Sequence, residues 1–207
     1  MGFELSPEEG AYLVGLARMA IEAVLGSGKN VTTAEAPVKL KKPCGVFVTL
    51  NKVEGASHSL RGCIGFPYPI KPLVEAVADS AVSAALRDPR FAPVSSGEMG
   101  SIVVEVSVLT PPETILVDDE PIRYPGMVEI GRDGLIVSRG SNRGLLLPQV
   151  PVDWGWDAEE FLTQTCLKAW LPPDAWLLPG TEVSKFQAII FSEEEPRGGV
   201  KRVELQG

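Results

Sequence analysis

Residues Ser59–Phe66, reading Ser-Leu-Arg-Gly-Cys-Ile-Gly-Phe, constrain this chain more than any other stretch. Their apolar positions suit an extended strand, yet two glycines, an arginine and a cysteine fall within it. Successive strand side chains face opposite ways. A regular strand therefore puts Ser59, Arg61, Cys63 and Gly65 on one face, and Leu60, Ile64 and Phe66 on the other, toward a core. Two residues of strand rise separate Arg61 from Cys63 by about 6–7 Å at the backbone. Glycine inside a strand marks a bulge or a close approach by backbone or ligand, and Gly62 and Gly65 invite either. In a functional reading, Arg61 favours the thiolate of Cys63, giving a nucleophile, a redox thiol or an anion pocket. In a structural reading, Cys63 is a small buried hydrophobe and Arg61 an ordinary paired charge at a strand edge.

The segments around this strand supply its neighbours. Cys44 to Asn51 is apolar and β-branched, with Cys44, Val46, Val48 and Leu50 on one face, and Lys52–Ser57 returns the chain antiparallel. His58, the only histidine, is one residue off the Arg61/Cys63 register, so a regular strand turns it away from the thiol. Pro67, Pro69 and Pro72 open a helix with a stripe of Ile70, Leu73, Val74, Val77, Ala81 and Ala84. It stops at Asp88-Pro89, because the residue before proline avoids helical dihedrals. Arg87, Asp88 and Arg90 then read either as a helix end or as an anion-binding rim. Ile102–Leu109 reads as a central strand whose Glu105 needs a partner such as Arg61, Arg87 or Arg90, since an unpaired buried charge is costly.

Elsewhere, Ser6-Pro7-Glu8-Glu9 is a capping box opening a core helix that Gly26 ends. Residues 27–43 read as a long loop. A polar stretch to Gly126 reads as an excursion, and a hairpin is expected across Gly131–Gly134. A second turn over Arg139–Gly144 lacks the ending of a phosphate loop. A last helix spans Ala158–Trp170 with Cys166 on its core face, then a strand covers Val183–Phe191 and an exposed acidic tail begins at Glu193. A net charge of −8 excludes a general nucleic-acid footprint. Three dispersed cysteines and one histidine argue against zinc and fit a reducing cytoplasm. No secretory leader is visible at Met1–Pro7, and no apolar stretch approaches the ~20 residues of a membrane span. Abundant proline with scarce asparagine is a pattern of proteins from hot habitats.

Several separated blocks then come together. Gly45-Val-Phe-Val-Thr-Leu50, Leu60-Arg-Gly-Cys-Ile-Gly65, Asp88-Pro-Arg-Phe91 and Val106-Ser-Val-Leu-Thr110 precede Gly134-Leu-Ile-Val137, Leu147-Pro-Gln-Val150 and Trp154-Gly-Trp-Asp157. In this order they resemble the AMMECR family over nearly the whole chain, with Leu-Arg-Gly-Cys-Ile-Gly as its signature. The resemblance implies one domain over residues 1–207, with a small lobe around 111–150. It implies an α+β fold: a mostly antiparallel, barrel-like sheet, flanking helices, and two lobes with a cleft carrying the signature. It implies no established reaction, and the cofactor stays unknown. Carried onto this chain, it marks Arg61 and Cys63 as candidate chemistry, with Gly62, Gly65, Asp88, Arg90 and Gln149 as candidate ligand contacts. Microbial relatives imply partners of the Memo type and of the radical-SAM type. Two functions stay open: a cytoplasmic ligand or thiol site, within a modification system, or a non-catalytic interaction module using the same surface.

Overall fold

The structure is a computed structural model and describes residues 4–203 apart from Asn30, Ala56 and Asp119. Its elements are, in order, α1 (Pro7–Ser27), β1 (Gly45–Glu54), β2 (Ser57–Phe66), α2 (Leu73–Leu86), β3 (Ile102–Leu109), β4 (Glu113–Thr114), β5 (Asp133–Arg139), β6 (Asn142–Leu146), α3 (Gln149–Trp154), α4 (Ala158–Lys168), β7 (Glu182–Glu193) and β8 (Val200–Val203). Two compact units result: one runs to Leu109 and resumes at Ile189, and the other comprises Thr110–Ala188.

In the first unit α1 starts as the capping box dictates. Ser6 Oγ accepts from the Glu9 N–H, and the Glu9 carboxylate accepts from the Ser6 N–H. The helix passes Gly26 and ends on Gly28, whose φ of 69° is the left-handed cap that glycine adopts freely. Contrary to the sequence reading, its 21 residues are long and apolar enough to cross a membrane. Here Leu13, Leu16, Ala17, Ala20 and Ile21 of that helix are buried in the protein core. Within residues 27–43, a 3-10 turn at Val38–Lys41 buries Leu40.

β1 lies between β2 and β3, antiparallel to both, and the last part of β7 continues the sheet beside β3. Val46, Val48 and Leu50 of β1 and Val104, Val106 and Val108 of β3 are fully buried on one face, packed with α1 and α2. The α2 stripe begins at Leu73. Ile70 precedes the helix that Pro72 opens and is 68% exposed, so it does not join the core. Glu193 is not the start of an exposed tail either. It is 5% exposed, its two oxygens accept from Arg18 at 2.5 and 2.6 Å, and Oε2 also accepts from the Val104 N–H.

In the second unit, β5 pairs antiparallel with β6 around Gly140 and Ser141, and with β7. The hairpin expected across Gly131–Gly134 does not form. Asp133 and Gly134 already belong to β5, paired with Gln187 and Phe186, and residues 128–130 are not a strand. Asp157 caps α4, which buries Phe161, Leu162 and Cys166. The chain is thus α+β, with antiparallel strand pairs and flanking helices.

Candidate functional site

Register fixes where each motif side chain goes. Going up β2, Phe66, Ile64 and Gly62 pair with Val46, Val48 and Leu50, while Gly65 and Cys63 pair with Phe47 and Thr49. Leu60 then pairs with Asn51, and Arg61 has no partner, so Arg61 is the extra residue of a β-bulge. Beyond the bulge the faces exchange. Leu60 joins the side of Cys63, away from the core, and is 42% exposed instead of buried.

The two glycines answer to packing. A Cβ at Gly62 would lie 2.2 Å from the Ala84 carbonyl oxygen of α2. One at Gly65 would lie 2.2 Å from the Val46 carbonyl oxygen and 2.6 Å from the Phe47 ring. Protein atoms already fill the space that was expected to admit a ligand.

Arg61 does not serve the thiol. Its Nε donates to Glu98 at 3.0 Å, its planar head lies 5.9 Å from the Phe91 ring centre, and its buried Nη1 has no hydrogen-bond partner among the described residues. This hydrogen bond is the main reason the Glu98 carboxyl is held below its ordinary range. Asp88 and Arg90 are the groups at Cys63. Asp88 Oδ2 accepts from the Cys63 N–H at 2.9 Å and from Arg90 Nη2 at 2.7 Å. Bonding to Arg90, then to backbone N–H groups, holds Asp88 well below the usual carboxylate range despite its burial. Arg87, expected beside them, instead faces a groove of about 500 Å³ lined also by Phe66, Lys71, Glu75, Asp79 and Ser83. Cys63 does not line that groove.

Register also builds a row that sequence reasoning missed. Cys63 pairs with Thr49, and Thr49 pairs with Glu105, so the three stand side by side on adjacent strands, on the face away from the buried valines. The Thr49 hydroxyl donates to Cys63 Sγ at 3.2 Å. Burial pushes the Cys63 thiol up, and Glu105 and Asp88 add to that, while Thr49 and Arg90 oppose it. The tuning by Arg61 expected from spacing is absent, and burial opposes ionisation of the thiol. Glu105 is pushed up by burial, with no hydrogen bond or ion pair seen among the described residues. The expected pairing fails because Arg61 is held by Glu98 and Arg90 by Asp88. A signal existed in the sequence: Thr49 and Glu105 are polar interruptions in otherwise apolar strands.

The other candidates do not enter this row. Cys44 and Cys166 are core residues, 6% and 0% exposed. His58 is exposed, five residues from Cys63, about 16 Å along an extended strand. Gln149 opens α3 in the second unit, and its buried Oε1 has no hydrogen-bond partner among the described residues. No group of three or more metal-ligating side chains occurs among the described residues.

Fold and site together define an α+β protein whose glycine-bearing motif strand carries a partly buried thiol in one cross-strand row with Thr49 and Glu105, the latter a carboxyl with no ion-pair partner among the described residues. A family model, AMMECR1, matches residues 14–191, and the chain belongs to the AMMECR1 family. Protein PH0010 of Pyrococcus horikoshii is 55% identical over 99% of this chain and 100% of its own length. Protein MK0488 of Methanopyrus kandleri is 53% identical over 99% of this chain and 98% of its own. The crystal structure of the uncharacterized protein PH0010 superposes with a TM-score of 0.87, covering 98% of this chain and 100% of that one. Thermophilic sources of such relatives agree with the proline-rich composition.

Proposed function

We propose that the outer face of β2, β1 and β3 is a ligand-binding face on which Cys63 is the contacting sulfur. Arg90 and Asp88 form its rim in the cytoplasmic setting that three free thiols favour. The observation that carries this is the Cys63–Thr49–Glu105 row, polar and partly accessible where Val48, Leu50, Val104 and Val106 on the opposite side of β1 and β3 are fully buried. A resting thiolate would suit an immediate nucleophile. A thiol whose ionisation burial opposes suits a contact made first, with any chemistry following it.

Alkylation by iodoacetamide, followed by peptide mass spectrometry, tests the reading. The Cys63 thiolate displaces iodide from the reagent's CH2 carbon, so the rate reports both access and ionisation. Cys63 is expected to label first, Cys44 slowly and Cys166, whose thiol burial pushes up to about 11, last. Its rate should climb with pH past the ordinary thiol range, fall in Arg90→Ala and stay unchanged in Arg61→Ala. If the three thiols label together, and only on unfolding, the face is closed and the proposal fails.

A further inference from the structure

The carboxyl of Glu105, without an ion-pair partner among the described residues, has a consequence for ligand chemistry, and this inference rests on the binding face proposed above. We infer that the face takes a primary ammonium group, seated on Glu105 with the hydroxyl oxygen of Thr49 beside it.

The charges on this face are incomplete without a cation. Asp88 is matched by Arg90 at 2.7 Å and Glu98 by Arg61 at 3.0 Å, leaving Glu105 with no cation among the described residues. A carboxylate shielded from water is costly when unpaired, so a positively charged group arriving there offsets that cost. An anionic ligand would instead set a second negative charge beside it. The neighbours fit an ammonium with three donors. Thr49, whose hydroxyl hydrogen is given to Cys63, keeps its oxygen lone pairs, and Asn51 lies two residues along β1 on the same face. Phe47, two residues the other way on the same face, is partly exposed, and its ring lies over Gly65 of β2, so the acceptors of Glu105, Thr49 and Asn51 are left to hold the ammonium. Two sources supply this group: a free small amine and a lysine side chain.

Amide chemical-shift titration of the full chain tests this with n-butylammonium, its neutral counterpart n-butanol, and N-acetyl-lysine amide. Butylammonium should shift the Thr49, Cys63 and Glu105 amides to saturation while butanol does not. Glu105→Gln, which keeps shape and removes charge, should bind about tenfold more weakly, equivalent to about 1.4 kcal/mol, with a dispersed spectrum showing that it is folded. Tighter binding of the lysine amide would assign the site to a protein side chain, and equal binding to free amines; both support the ammonium. Equal response to butanol, or unchanged affinity in Glu105→Gln, overturns the ammonium while leaving the binding face standing. No response of these amides to any probe, with Cys63 also unlabelled in the native state, overturns both.

Discussion

Replacing Gly62 by alanine separates packing from ligand access at the motif. The new Cβ would sit 2.2 Å from the Ala84 carbonyl oxygen and 3.1 Å from its carbon, where ordinary contact begins at 3.4 Å. Both atoms are main chain of α2, so no side-chain rotation relieves the clash, and helix and strand must part by about 1 Å. Overpacking of this kind costs about 1–3 kcal/mol. Against it, alanine narrows the unfolded ensemble, which returns about 0.4–1 kcal/mol. Taking the middle of each range, the net loss should be about 1.3 kcal/mol, or roughly 3–5 °C in Tm for a chain of this size. Gly15→Ala is the internal control. Gly15 lies mid-α1 with nothing within 4 Å of an added Cβ, so alanine there should stabilise by about 0.5–1 kcal/mol. Guanidinium unfolding followed by circular dichroism, with equal m-values, reads both. If Gly62→Ala matches or exceeds wild type while Gly15→Ala behaves as stated, the close approach of α2 is not what requires the glycine.

Two further outcomes follow from the ion pairs. Arg18 and Glu193 are 7% and 5% exposed, so Glu193→Leu, which strands a buried guanidinium, should cost about 3–5 kcal/mol. Adding Arg18→Met should recover part of that, and a single-variant cost below about 1 kcal/mol would show the pair is not needed. Asp88 is held below its ordinary pKa when folded, so its stabilising share is present above the unfolded value of about 3.9 and is lost as pH falls toward the folded one. Wild type should therefore exceed Asp88→Asn in urea midpoint at pH 7, with the gap closing in acid. A gap that stays constant down to pH 2 would contradict this.

What the sequence made legible was local. The capping box at Ser6, the alternation in Gly45–Leu50 and the proline stop after Asp88 are short-range patterns, and each holds in the structure. The α+β class came from resemblance, and the structure agrees with it. The bulge at Arg61 was hidden, because a period of two assumes that each residue faces a partner, and one extra residue reversed the expected faces of Leu60 and Ser59. Partner choice was equally hidden. Nothing in the spacing of Arg61 and Cys63 tells of Glu98, 37 residues on, as the acceptor. Glu193 looked like the first member of an acidic run, but β7 carries it to Arg18, 175 residues away. The Asp-Gly at 133–134 favoured a turn by local chemistry, and pairing with β7 overrode it.

The aspartate at Cys63 also protects the molecule from its own kind. β2 ends its sheet, and such a border strand offers free main-chain groups on which an incoming chain can build. At its midpoint the amide of Cys63 is already taken by Asp88, and the guanidinium of Arg90 stands over the carbonyl at 3.5 Å. A foreign strand would have to displace a salt-bridged carboxylate before forming its first central bond. The middle of the hairpin edge is thereby occupied by the chain's own side chains, which an incoming strand would have to displace.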